Sequence, residues 1–302
     1  MSAQTAQSER ETGFDRVLAF TVPQNNARGR VVRLGPVLDT VLSAHDYPAP
    51  VRHLLGEALV LTALMGSLLK DTGSQLTLQA QADGGAVDLL VCDYREGELR
   101  GYVRHDAEKL GRIGASPSLQ TLFGEGYLAI TFDLAVADER YQGIVPLEGE
   151  SLAQACESYF ERSEQVPSLI RVGIQSSAGG TIAAGLLVQH LPEGEDGQER
   201  LHVKEDHPEW EHVAALAGST RHDELVDPEL GLEQLIWRLF HQESEVRVEP
   251  LAQLSRGCRC TIEHYEGILG RFPESERAEM RGEDGYVPVE CAFCSKILAI
   301  DV

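Results

Sequence analysis

Positive charge is scarce in this chain: 26 Lys and Arg stand against 48 Asp and Glu, for a net charge of −22. A nucleic-acid binder neutralises phosphates with Lys and Arg, so no nucleic-acid partner is expected. The same deficit argues against docking on an anionic membrane surface. Long apolar runs are also missing. The longest uncharged one, Ala58–Leu69, falls well short of the ~20 residues that span a bilayer and reads as a buried helix. The opening MSAQTAQSERET has no basic segment followed by an apolar stretch, so no secretory signal is expected and the chain reads as soluble and cytoplasmic. Catalytic signatures are lacking as well. Gly111, Gly114, Gly124 and Gly126 make no GxGxxG or P-loop and read as turn glycines, and no Ser/His/Asp or nucleophile-elbow motif occurs. The expectation is that this protein is not an enzyme.

Cysteine is sparse but concentrated. Of six, Cys92 and Cys156 stand alone on apolar faces and read as core thiols, while Cys258, Cys260, Cys291 and Cys294 crowd the last 45 residues. A secreted disulfide scaffold spreads its cysteines through a small chain. Clustered pairs in a reducing compartment point instead to a metal. Cys258-Arg-Cys260 and Cys291-Ala-Phe-Cys294 are 30 residues apart, and two short-spaced thiolate pairs suit a closed tetrahedral zinc site with no open position for catalytic water. A thioredoxin-like use of Cys291 and Cys294 would need a following helix in a βαβ setting, and eight residues follow Cys294.

The length of 302 residues favours more than one folded unit. Strand patterns cover Arg16–Val22, Gly29–Leu34, Gln75–Ala82, Ala86–Tyr94, Leu99–Arg104, Tyr127–Leu134, Leu169–Gln175 and Gly185–His190. A helix is predicted from Pro50 to Lys70, with apolar residues every three or four positions, and an amphipathic one over Ser151–Ser163. This is an α+β pattern with a mainly antiparallel sheet. From Glu193 to Glu233 there are 13 acidic residues against Arg200, Lys204 and Arg221. Helices are predicted there over Glu209–Ala217 and Asp223–Gln242, with narrow apolar stripes that need neighbouring surface to stay folded. His202, His207 and His212 recur every five residues, a spacing that drifts round a helix and reads as solvated surface. The predicted units are an α+β core over 1–193, an acidic helical linker over 194–250 and a small zinc-binding domain over 251–302.

A domain of about 50 residues has little core of its own, so the metal should supply much of its folding energy. Structural zinc contributes on the order of 10–16 kcal/mol in small peptides. Disulfides closing loops of three or four residues would return roughly 2 kcal/mol each. Oxidising the pairs therefore removes far more stabilisation than it adds, and the site reads as a switch that unfolds its own domain.

The sequence resembles the 33-kDa heat-shock protein family, redox-regulated bacterial holdase chaperones. The resemblance rests on Cys258-x-Cys260 with Cys291-x-x-Cys294, on Tyr141-Gln142-Gly143 followed by Tyr159-Phe160-x-x-Ser163-Glu164-Gln165-x-Pro167, on Leu99-Arg100-Gly101-Tyr102 and on Gln75–Gly85. It implies one zinc per chain on Cys258, Cys260, Cys291 and Cys294 in an inactive reduced form. It further implies Cys258–Cys260 and Cys291–Cys294 disulfides, zinc release and linker disorder under oxidative stress. Binding of unfolded or partly unfolded client proteins, a homodimer on activation, and ATP-dependent chaperones that refold the clients are likewise implied. A constitutive zinc scaffold and a thiol oxidoreductase using Cys291 and Cys294 are the alternatives.

Overall fold

The computed structural model describes residues 13–114, 117–191 and 208–301. Strand β1 (Arg16–Val22) turns through Pro23–Asn25 into β2 (Ala27–Leu34), with Asn26 in the left-handed region at φ 46°. Helices α1 (Pro36–Leu42) and α2 (Ala49–Gly66) follow, then a meander of β3 (Gln75–Gly84), β4 (Val87–Arg95) and β5 (Glu98–His105). Short helices α3 (Ala107–Leu110) and α4 (Leu119–Phe123) precede β6 (Gly124–Leu134) and β7 (Glu139–Pro146). Helix α5 (Leu152–Tyr159) runs into a π-turn at Phe160–Glu164, and the hairpin β8 (Ser168–Ser177) and β9 (Gly180–His190) follows. Beyond residue 207 come α6 (Pro208–Gly218), α7 (His222–Val226), α8 (Leu232–Phe240), β10 (Arg247–Gln253) and β11 (Ser255–Arg256). The chain ends in α9 (Ile262–Leu269), α10 (Glu274–Met280) and the pair β12 (Val287–Glu290) and β13 (Ile297–Ile300).

Two sheets dominate. The first, β10-β1-β2-β9-β8, is antiparallel throughout; the second, β11-β5-β4-β3-β6-β7, is antiparallel except where β11 runs parallel to β5. The mainly antiparallel α+β expectation holds. Helix α2 lies between the sheets and shares one apolar core with both. It is buried around its whole circumference from Leu54 to Gly66, as a helix sandwiched between two sheets must be. Gly101 and Gly185 permit this close approach: a Cβ at Gly101 would meet Leu55 Cδ1 at 2.9 Å, and one at Gly185 would meet Val60 at 2.4 Å. Among the described residues no helix is long and apolar enough to cross a membrane.

Helix α2 also buries a carboxyl. Glu57 Oε1 accepts the backbone N–H of Ala153 at 3.0 Å, capping the start of α5. Burial raises its pKa from the ordinary 4.5 to about 7, only partly offset by backbone N–H donors at Ala153 and Leu152. A carboxyl raised by folding stabilises fully below its unfolded pKa and loses that contribution as pH climbs through its folded one. The core should therefore lose about 3 kcal/mol from this group as pH rises from about 4.5 to 7. Glu57→Gln keeps the accepting oxygen and removes the charge, so its urea midpoint should vary less between pH 5 and pH 8. Identical pH slopes for the two proteins would refute this.

The other face of the first sheet carries a second apolar cluster, in which α6, α7 and α8 press Val213, Ala217, Leu225, Leu230, Leu235 and Phe240 onto Leu18, Phe20, Val31, Leu186 and Val188. Trp210 and Leu216 pack at its margin, so the stripe expected in this acidic stretch is real. Arg33 of β2, 1% exposed, reaches across this interface. Its Nε donates to the Leu225 carbonyl at 2.9 Å and its Nη1 to that of Leu230 at 2.7 Å, satisfying one carbonyl at the end of the short helix α7 and one in the turn before α8. Burial lowers the pKa of this guanidinium to about 10. At the edge strand β8, Ile174 N donates to His222 Nε2 at 3.0 Å, pinning the start of α7.

Two sequence expectations change here. The helix predicted over Asp223–Gln242 is broken between α7 and α8, because Pro228 has no N–H and forbids helical backbone before it. Residues 247–253 are not helical but pair as β10 with β1. Of the three histidines, His212 is bonded to Glu243 at 2.7 Å; His202 and His207 lie outside the described residues.

Candidate metal centre

The approach to the first cysteine pair is fixed by backbone. Ser255 N donates to Gly97 O and Gly257 N to Leu99 O, both at 2.9 Å, which aligns β11 with β5 and delivers Cys258 and Cys260 at the edge of the second sheet. Thr261 then caps α9 through its side chain, which accepts from His264 N. The second pair sits in the turn between β12 and β13. Cys294 N and Ser295 N both reach Cys291 O, at 3.2 and 2.8 Å, and Cys291 N reaches Lys296 O at 3.0 Å. Ser295 takes the left-handed conformation, φ 53°, which closes this knuckle.

The two pairs converge. All four sulfurs lie within 4.8 Å of one another, the one such cluster of His, Cys, Asp or Glu among the described residues. Cys258 Sγ is 3.2 Å from Cys260 Sγ and 3.6 Å from Cys291 Sγ, and Cys260 Sγ is 3.5 Å from Cys294 Sγ. A tetrahedron with metal–sulfur bonds of 2.3 Å has edges of about 3.8 Å, so the donor set and its spacing fit a four-thiolate ion. No carboxylate or imidazole joins the cluster. Soft sulfur ligands in this number suit zinc far better than calcium or magnesium.

The electrostatics have the same character. Burial raises the Cys258 and Cys260 thiols, and neighbouring sulfurs push Cys260 further in the same direction. Burial also opposes the Cys291 thiolate, but donors at the Phe293 backbone N–H, Tyr265, Cys294 and Cys258 outweigh it and bring its pKa down to about 7. Crowded sulfurs can share one negative charge easily and four only with a cation among them. Tyr265 of α9, whose hydroxyl bonds Cys291, has no signal in the sequence beyond its place in an amphipathic helix.

Around this centre the apolar core is small: Leu269, Val287, Leu298 and Ile300 are buried, with Cys260, Tyr265 and Val289 packed against them. Cys92 and Cys156, in contrast, are wholly buried in the main core and held far above ordinary thiol pKa values by desolvation.

Known proteins resemble this chain over nearly its whole length. The family described as "Hsp33 protein" matches residues 15–301. A 33 kDa chaperonin of Caulobacter vibrioides is 40% identical over 294 residues, covering 95% of each chain. One from Vibrio cholerae is 35% identical over 276 residues, covering 91% of this chain and 89% of its own. The crystal structure of a 33 kDa chaperonin from Thermotoga maritima superposes with a TM-score of 0.75 at 22% identity, covering 95% of both chains, and so shares the fold.

Proposed function

Since the chain belongs to the Hsp33 family of chaperones, we propose that it is a holdase switched by oxidation, with Cys258, Cys260, Cys291 and Cys294 holding one zinc ion in the inactive reduced state. The observation that carries this reading is the convergence of four sulfurs beside an apolar cluster of four buried side chains among the described residues. When bound, zinc neutralises the thiolates and cross-links the two knuckles, supplying folding energy the module's own core cannot.

Peroxide is the oxidant class that fits. One thiolate of a pair attacks a peroxide oxygen, the O–O bond breaks, and a sulfenic acid and hydroxide form. The second thiolate attacks that sulfur, a disulfide forms and a second hydroxide leaves. Each pair gives up two electrons to one peroxide, so Cys258–Cys260 and Cys291–Cys294 together consume two. With Cys258, Cys260, Cys291 and Cys294 all in disulfides, no thiolate would remain to hold zinc, and the module would lose its main cross-link.

The module at 251–302 and the acidic segment at 194–250 act as two stages of one device. Loss of the module's order loosens the segment packed on the first sheet, and the apolar residues on both sides of that interface become a surface for unfolding clients. Two such opened chains associate as a homodimer, and ATP-dependent chaperones refold the clients in the cytoplasm.

Light scattering of a thermally unfolding client tests the reading. Peroxide-treated protein should suppress aggregation and reduced protein should not; no oxidation-dependent suppression would favour a constitutive zinc scaffold, and turnover of a dithiol substrate an oxidoreductase. Elemental analysis should find one zinc per reduced chain and none in the Cys258, Cys260, Cys291 and Cys294 quadruple serine variant. Replacing Cys92 and Cys156 with alanine should leave the zinc content unchanged, because neither sulfur lies in the cluster.

A further inference from the structure

Each cysteine pair encloses a residue that is not a ligand but touches the core. Phe293, between Cys291 and Cys294, sets its ring edge-on to Tyr102 of β5, with centroids 4.9 Å apart and planes at 87°. The Arg100 guanidinium, two residues along the same strand, lies over that ring 4.0 Å from its centroid. Arg259, between Cys258 and Cys260, donates from Nη1 to Gln75 Oε1 at the start of β3.

These two attachments are joined through the sheet. Gln75 Nε2 donates to Thr77 Oγ1 at 3.0 Å, Thr77 Oγ1 donates to Asp93 Oδ1 at 2.7 Å, and Arg100 Nε donates to Asp93 Oδ2 at 2.7 Å. Thr77, Asp93 and Arg100 stand directly opposite one another in the strand register, so they form one polar row across β3, β4 and β5. The row ends under Phe293. Asp93 is buried, and its pairing with Arg100 fixes the guanidinium plane against which the aromatic ring rests. Ser295, next to the last ligand, adds a bond to His45 Nδ1 at 3.0 Å.

We propose that Arg259 and Phe293 form a latch that docks the metal centre directly on the outer face of the second sheet, and that this latch sets how readily the site opens. It works independently of the acidic segment, which covers the opposite sheet. Rearranging either knuckle moves the residue it encloses, so the core sheet resists release of the sulfurs. The latch rests on the redox reading for its biological meaning, but its mechanical content does not.

The test uses the full reduced, zinc-loaded chain with Phe293→Ala, Tyr102→Ala and the double substitution. Tyr102→Ala leaves the knuckles and the Asp93–Arg100 pair in place. Zinc transfer to a chromogenic chelator, without oxidant, should be about threefold faster in Tyr102→Ala, which loses the ring contact, and about tenfold faster in Phe293→Ala, which also loses the cation–π contact with Arg100. The double variant should be no faster than Phe293→Ala, because the Tyr102 contact is already lost there. Hydrogen exchange at 254–260 should rise in parallel in all three. Release at the wild-type rate, or additive acceleration in the double variant, would overturn the latch. Should Phe293→Ala fail to load zinc, Tyr102→Ala and its exchange pattern decide alone. Failure of peroxide to activate the wild-type protein would instead sink the redox reading and leave these chelator rates to be judged by themselves.

Discussion

Peroxide treatment of the reduced, zinc-loaded protein should strip hydrogen-exchange protection from residues 208–240 and 254–301 while β3 and β4 stay protected. The expected effect is large because the two regions depend on what oxidation removes. The module has four buried apolar residues of its own, against a main core that spans both sheets and α2. Helices α6, α7 and α8 are 11, 5 and 9 residues long, too short to persist in water without a packing surface. Strands β3 and β4 lie in the middle of the six-stranded sheet and open only with the whole core. If α6 to α8 keep their protection in protein that nonetheless suppresses aggregation, the client surface lies elsewhere.

Arg33→Met should give a protein that binds clients without oxidant. Methionine replaces the bulk of the arginine stem but donates nothing, so the Leu225 and Leu230 carbonyls are left buried and unpaired. Charge-assisted bonds of this kind contribute about 1.5–3 kcal/mol each, and an orphaned buried acceptor costs about 1–3. A net loss of about 3 kcal/mol raises the open population of α7 and α8 by roughly 100-fold. The reduced variant should suppress aggregation in light scattering while keeping its zinc, since the substitution is on the far sheet from the sulfurs. Wild-type exchange rates over 222–240 in reduced Arg33→Met would refute it.

Much of this was legible before any coordinates. The two cysteine pairs identified the cluster because thiolates at such short spacing have few other uses. The bounds of β1 were read correctly, because its apolar run ends at a proline. Helix α2 was found but its setting was not: an apolar residue every third or fourth position also occurs in a helix buried all round. Strand β7 was passed over because an edge strand with exposed Glu139, Arg140, Tyr141 and Gln142 carries almost no apolar alternation. The break between α7 and α8 had a signal in Pro228, outweighed by the apolar periodicity on either side. Arg33 had none. β2 is covered on both faces, so its charged residue looks from sequence like a solvent-facing position. Arg259 and Phe293 read only as spacers between ligands, since what they touch lies more than 150 positions away in the chain.

The placement of β10 has a consequence for recovery. β9 and β10 belong to the same sheet, with β1 and β2 between them. The chain from His190 to Arg247 is therefore a closed loop, with both feet planted about 15 Å apart on the same five-stranded sheet. Closing a loop of this size is a cost already met, and it changes little whether the segment is packed or displaced. Under the proposed switch, the segment and a client compete for the same sheet face, and the segment does so at an effective concentration set by the loop, not by the amount of protein in the cell. A client held on that face would thus be exposed to intramolecular displacement. On that proposal, restoring the thiols should release the client at a rate independent of the protein's own concentration.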